Sequence, residues 1–195
     1  MKPPPRLAVL GSGRGSNFVA IQEAIVGGRL NAEIAIVLSD VPDAPILDHA
    51  RRFDIPCAAL PASPFRTKLG PDAETVLCET LQSVGVGWVV LAGYMRVVKQ
   101  PLLGLYPDRI INIHPSLLPA FRGLRAWEQA LAAGVKETGC TVHFVNAQVD
   151  AGRIIAQQKV PVLSGDTPES LHARIQEAEH QLYPAALAQV LATDT

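Results

Sequence analysis

Short apolar runs alternate with amphipathic stretches along most of this chain, the pattern of strands interleaved with helices. Residues 6–10 (Arg-Leu-Ala-Val-Leu) predict a buried first strand feeding a glycine-rich turn. Ser16 or Asn17 could cap the next helix, which runs to about Val26 and stops at Gly27-Gly28. Residues 33–38 predict strand two, Pro45 to Phe53 a helix, and Ile55 to Ala59 a short third strand. The segment 62–70 is polar and irregular, and a helix follows from about Asp72 to Val84. Trp88 to Ala92 reads as a central strand and 109–113 as the next one. Ala126 to Ala133 predicts a helix, 139–145 and 153–162 two strands around a loop, and Pro168 to Leu191 a long helix kinked at Pro184.

Strands alternating with helices predict an α/β fold: a single-domain, Rossmann-like, doubly wound and mostly parallel sheet, with antiparallel strands added at one side. Ligands of such open sheets bind at the carboxyl ends of the strands. Three segments should converge there: the turn after residue 10, the turn after residue 92, and the strand end at Asn112 and His114.

Composition narrows the function classes. The chain has 195 residues, 48% hydrophobic, with a formal net charge of -1 and no dense basic run. A core is affordable, while a dedicated nucleic-acid or membrane-surface binder is disfavoured. The odd set Cys57, Cys78 and Cys140 forms no Cys-x-x-Cys unit, which fits a reduced, cytoplasmic setting without structural zinc. Residues 1–195 read as one domain behind a proline-rich, disordered stub at 1–5, with no apolar leader and no run long enough to span a bilayer.

The candidate chemistry sits in two places. Gly11-Ser12-Gly13-Arg14-Gly15-Ser16-Asn17 joins a strand to a helix, so backbone amides and the positive helix end can meet a phosphate. The dinucleotide fingerprint is only partial, although Asp40 ends strand two about where a ribose-binding acid could sit. The alternative is a tight turn that binds nothing.

Ile111-Asn112-Ile113-His114-Pro115-Ser116-Leu117-Leu118-Pro119 places an amide and an imidazole on one face of a strand that Pro115 ends. Asp150, beside Ala151-Gly152, is a carboxylate that a sharp turn could return to the strand mouth; Asp-Gly neighbours are also ordinary turn residues. Asn112 could hold the oxygen of a tetrahedral intermediate, His114 could donate a hydrogen bond or proton to it, and Asp150 could orient the imidazole. No Gly-x-Ser-x-Gly elbow is present, and Ser116 reads as loop structure. His143 reads as a packed or partly exposed strand residue, with a metal site as the minority alternative.

These motifs resemble the folate-dependent phosphoribosylglycinamide formyltransferase family. The likeness runs from Leu7 to about Pro184, carried by Gly13 to Asn17, Leu91 to Arg96, Asn112 to Pro119, Thr141 to Val145 with Asp150, and Gln176 to His180. It implies the formyltransferase fold and transfer of a formyl group from 10-formyltetrahydrofolate to the amine of glycinamide ribonucleotide. Gly15, Ser16, Asn17, Gln176 and Glu179 would hold the ribonucleotide; read without the family, Gln176 and Glu179 are a solvated helix face. Lys68, Met95, Arg96, Val97, Val98, Asn112 and the loop Asn146, Ala147, Gln148, Val149 and Asp150 would hold the folate, with Arg66 as the alternative to Lys68. Asn112, His114 and Asp150 would be catalytic, with no metal.

The chain departs from the family pattern at Phe121-Arg122-Gly123, at Gln148-Val149 and at Arg153. The resemblance further implies small-molecule partners only, no nucleic acid or membrane, and a monomer or homodimer. The rivals are formyltetrahydrofolate deformylase and methionyl-tRNA formyltransferase, whose added domains are not expected here. A non-catalytic nucleotide-binding module would use the glycine turn alone.

Overall fold

A computed structural model describes residues 3–193. In chain order the elements are β1 (Arg6–Leu10), α1 (Ser16–Val26), β2 (Glu33–Ser39), α2 (Pro45–Arg52), β3 (Cys57–Ala59), α3 (Pro71–Ser83) and β4 (Trp88–Leu91). They continue with α4 (Leu102–Leu105), β5 (Ile110–His114), α5 (Ala126–Ala132), β6 (Glu137–Phe144), β7 (Ile154–Pro161) and α6 (Pro168–Thr193). The strands form one seven-stranded sheet in the order β3-β2-β1-β4-β5-β6-β7. Pairs from β3 through β5 are parallel, while β5–β6 and β6–β7 are antiparallel. The chain winds outward in both directions from β1 and β4, so the crevice of an open α/β sheet lies between their carboxyl ends.

Each face of the sheet carries its own core, as the two-residue period of a strand requires. Leu7 and Val9 of β1 pack with Phe18, Ile21, Ile46, Ile111 and Tyr183, beneath α1, α2 and α6. Ala8 and Leu10 pack with Leu38, Leu77, Leu81, Leu91 and Ile110 on the opposite face, under α3 and α4. Parallel strands covered on both sides read as continuous apolar runs, which is why β1, β2 and β4 were legible.

Several expectations shift on inspection. Neither Ser16 nor Asn17 caps α1: the cap is Gly15, in the left-handed region at φ 77°, and no side chain bonds the first turn. The Asn17 amide is instead drawn to a carboxylate on α6. The short helix α4 lies where Pro101 and Gly104 break the sequence pattern. Helix α6 continues through Pro184. Of the predicted stub, Met1 and Lys2 lie outside the described residues, and the Pro5 carbonyl accepts from the Glu33 amide at 2.9 Å. Among the described residues, no helix is long and apolar enough to cross a membrane.

Candidate active site

The end of β5 places Asn112 and His114 on one side, paired across the ladder with His143 and Thr141 of β6. The chain beyond His114 is held by its neighbours. Ser116 is fully buried and its hydroxyl donates to the Ala120 carbonyl at 2.6 Å, so it is loop structure. The Thr141 hydroxyl donates to the Ser116 carbonyl and accepts from the Leu118 amide, and Gln157 donates to the Leu118 carbonyl. This bracing brings the Phe121 carbonyl to 2.9 Å from His114 Nε2.

Asp150 returns to the strand mouth. Its Oδ2 lies 3.4 Å from His114 Nδ1 and accepts from the Gly123 amide at 2.9 Å. Its Oδ1 lies 3.8 Å from His143 Nε2. The return depends on two backbone features. Asp150 itself adopts φ 49°, a left-handed conformation that Asp tolerates better than most residues. At Gly152, an added Cβ would sit 1.7 Å from the Phe144 carbonyl oxygen, so only glycine lets the loop lie against β6.

Both ring nitrogens of His114 face oxygens, Nε2 the Phe121 carbonyl and Nδ1 the Asp150 carboxylate. Asn112, on the same side of the strand end, carries a further side-chain N–H. His143 donates from Nδ1 to the Phe144 carbonyl at 2.8 Å, and its Nε2 lies 3.2 Å from Asn112 Nδ2. Burial pushes the His143 imidazole below its ordinary value, so neutral Nε2 accepts one amide proton and leaves the other directed elsewhere. His143 is thus packed, but it also orients Asn112, a role sequence reasoning missed. The signal was its alternation with Asn112 on adjacent strands, visible only once the β5–β6 register is known. Among the described residues, no three His, Cys, Asp or Glu side chains are placed to hold a metal ion.

At the glycine turn, Ser16 opens α1 and Asn17 Nδ2 donates to Glu179 Oε2 at 2.8 Å. Glu179 is buried rather than solvated, contrary to the helix-face reading; burial pushes its carboxyl up to about 7, against a smaller opposing effect of the Asn17 bond. Asn17 Oδ1 is buried without a protein partner. Gln176 is half-buried one turn earlier on α6. The Tyr183 hydroxyl lies 2.9 Å from the Leu91 carbonyl and 3.0 Å from that of Ile111, which fixes α6 against β4 and β5. Arg14, which sequence reasoning passed over, lines a cavity of about 370 Å³ beside Ser16 with Arg29, His49 and His180.

The expected folate residues divide. Met95 is exposed and Val97 donates its amide to the Thr67 carbonyl at 2.8 Å, whereas the Val98 side chain is buried in the second core. Arg96 pairs through Nε with Asp40 Oδ2 at 2.5 Å. Asp40 Oδ1 accepts from the Ser12 hydroxyl, so both its oxygens are engaged within the protein, unlike a ribose-binding acid. Lys68 lies over the Phe65 ring, 4.2 Å from its centre. Asn146 to Val149 are exposed, with the Gln148 amide bonded to Asn146 Oδ1 at 2.9 Å.

An amide, an imidazole and a carboxylate thus gather at the carboxyl edge of this sheet. Residues 5–187 match the formyl transferase family model, and the chain belongs to that family. The chain is 41% identical over 186 residues to the phosphoribosylglycinamide formyltransferase of Bacillus subtilis (strain 168), covering 95% of this chain and 94% of that protein. Its structure superposes with a TM-score of 0.93 on glycinamide ribonucleotide transformylase 1 from Symbiobacterium toebii, at 48% identity, over 99% of this chain and 90% of that one. It is also 43% identical over 190 residues to the trifunctional purine biosynthetic protein adenosine-3 of Homo sapiens; there the chain spans only 18% of the relative's length.

Proposed function

We propose that this protein transfers the formyl group of 10-formyltetrahydrofolate to the amine of glycinamide ribonucleotide. The observation that carries the reading is that Asn112 and His114 share one side of the β5 end, while Asp150 returns from a distant loop to 3.4 Å from His114. Gly15, Ser16 and Asn17 would hold the phosphate at the start of α1, where backbone amides face an anion. Gln176 and Glu179 would contact the rest of the ribonucleotide. Met95 to Val97 and the 146–150 loop would receive the folate, Val98 serving through its backbone.

In the reaction the amine attacks the formyl carbon, forming a new C–N bond, and the carbonyl electron pair moves onto oxygen. Asn112, oriented by His143, donates its spare N–H to that oxygen, with the His114 ring beside it on the same strand face. Collapse breaks the bond to N10, and the proton released by the amine ends on N10. His114 and Asp150, an acid and a base in contact, are the groups placed to carry it.

Incubation of the protein with 10-formyltetrahydrofolate, with and without glycinamide ribonucleotide, tests the reading. Rapid formyl loss only with the amine, yielding formylated ribonucleotide, is the expected result. Equal loss in both tubes would establish a deformylase instead, and no loss in either a binding module.

A further inference from the structure

Asp40 sits where four segments from the carboxyl edge of the sheet meet, and it is almost fully buried, with 4% of its side chain exposed. One oxygen accepts from the hydroxyl of Ser12, in the glycine turn after β1. The other meets Nε of Arg96, in the turn after β4, at 2.5 Å. The same Ser12 hydroxyl accepts from the Met95 amide at 2.8 Å, and the Ser12 amide donates to the Gly93 carbonyl at 3.1 Å. Arg96 then extends through Nη1 to the Phe65 carbonyl, in the irregular segment that carries Lys68. The Val97 amide closes the same junction on Thr67.

This network bears on what Arg96 does. A guanidinium committed to a buried carboxylate and to a carbonyl is not free as a charge for a ligand's acid group. Removing either member of the pair leaves the other buried and uncompensated. Most of the links are charge-assisted or main-chain bonds, so the four segments cannot move independently without breaking one.

We infer that Asp40 is a positioning residue that couples the two substrate subsites, tying the phosphate-binding turn through Ser12 to the folate wall through Arg96. The inference rests on the subsite assignment proposed above. An anion that orders the glycine turn fixes Ser12, and with it Asp40, Met95, Arg96 and the 65–68 segment. By linkage, the folate raises the affinity for the ribonucleotide by the same factor.

Calorimetric titration of tetrahydrofolate, which carries no formyl group and so cannot react, tests this in the unmodified protein. Its affinity is measured without and with saturating glycinamide ribonucleotide. The expected result is a tightening of about fivefold or more, within the usual range for coupled sites. Ser12→Ala and Asp40→Asn, confirmed as folded by thermal melting, are expected to bring that ratio close to one, while Arg96→Lys retains part of it. No tightening in the unmodified protein, or the same tightening in folded Ser12→Ala, would overturn the inference. If either ligand alone fails to bind, the functional reading itself fails, and the coupling falls with it.

Discussion

His143 shows how much a single residue's meaning depends on its neighbours. In the sequence it is one histidine in a strand; in the structure it holds the Asn112 amide at 3.2 Å while its own Nδ1 is anchored on Phe144. Its replacement by alanine removes no contact to a reacting atom but frees the amide to rotate. The expected outcome for His143→Ala is a fall in kcat of about tenfold or more, with KM for both substrates little changed, read by steady-state kinetics. Glu179 is the second case. Its carboxyl is raised to about 7 by burial, from an ordinary value of 4.5. A raised folded-state value means that the native protein holds a proton the unfolded chain has released. The stability this confers is complete below about 4.5 and is lost as pH rises through about 7. Glu179→Gln should therefore match the unmodified protein's stability near pH 4.5 and exceed it at pH 8, by up to about 3 kcal/mol, in denaturant melts at the two pH values.

At the scale of elements, the parallel strands were legible because burial on both faces leaves nearly unbroken apolar runs, as in Leu7 to Leu10 and Ile34 to Leu38. Element α4 escaped because a single turn flanked by Pro101 and containing Gly104 carries no periodicity. The cap of α1 was misplaced for a different reason: Ser and Asn are strong caps in isolation, but left-handed Gly15 makes the entry and Asn17 serves Glu179. The loop that returns Asp150 was visible only as an Asp-Ala-Gly string, since its path depends on contacts with β6 that lie outside the string. Gly152→Ala tests that path. The added methyl group meets the Phe144 carbonyl at 1.7 Å, so the loop must shift and carry Asp150 with it. The expected result is a large loss of turnover and a lowered melting temperature, measured on the same purified sample; unchanged values of both would mean that the loop tolerates the displacement.

Across the whole molecule, site and fold are one design. The sheet order places β1 and β4 side by side at the point where the winding reverses, and the glycine turn, the Met95 turn and the Asn112 strand end follow from that order. Asn112 and His114 were legible in the sequence because proline ends β5 next to an amide and an imidazole, whereas Asp150 joined them chiefly through the family resemblance. The links between the trio, α6 and the Asp40 network were not, because they join residues far apart in the chain, such as Asn17 with Glu179 and Ser12 with Asp40. The central claim is that His114 and Asp150, in contact at the mouth of β5, drive formyl transfer to the ribonucleotide amine. The most direct test is the rate at which Asp150→Ala forms formylated ribonucleotide with both substrates saturating. A loss of about a hundredfold or more is predicted, with ribonucleotide binding retained; near-normal turnover in a folded Asp150→Ala protein would contradict the account.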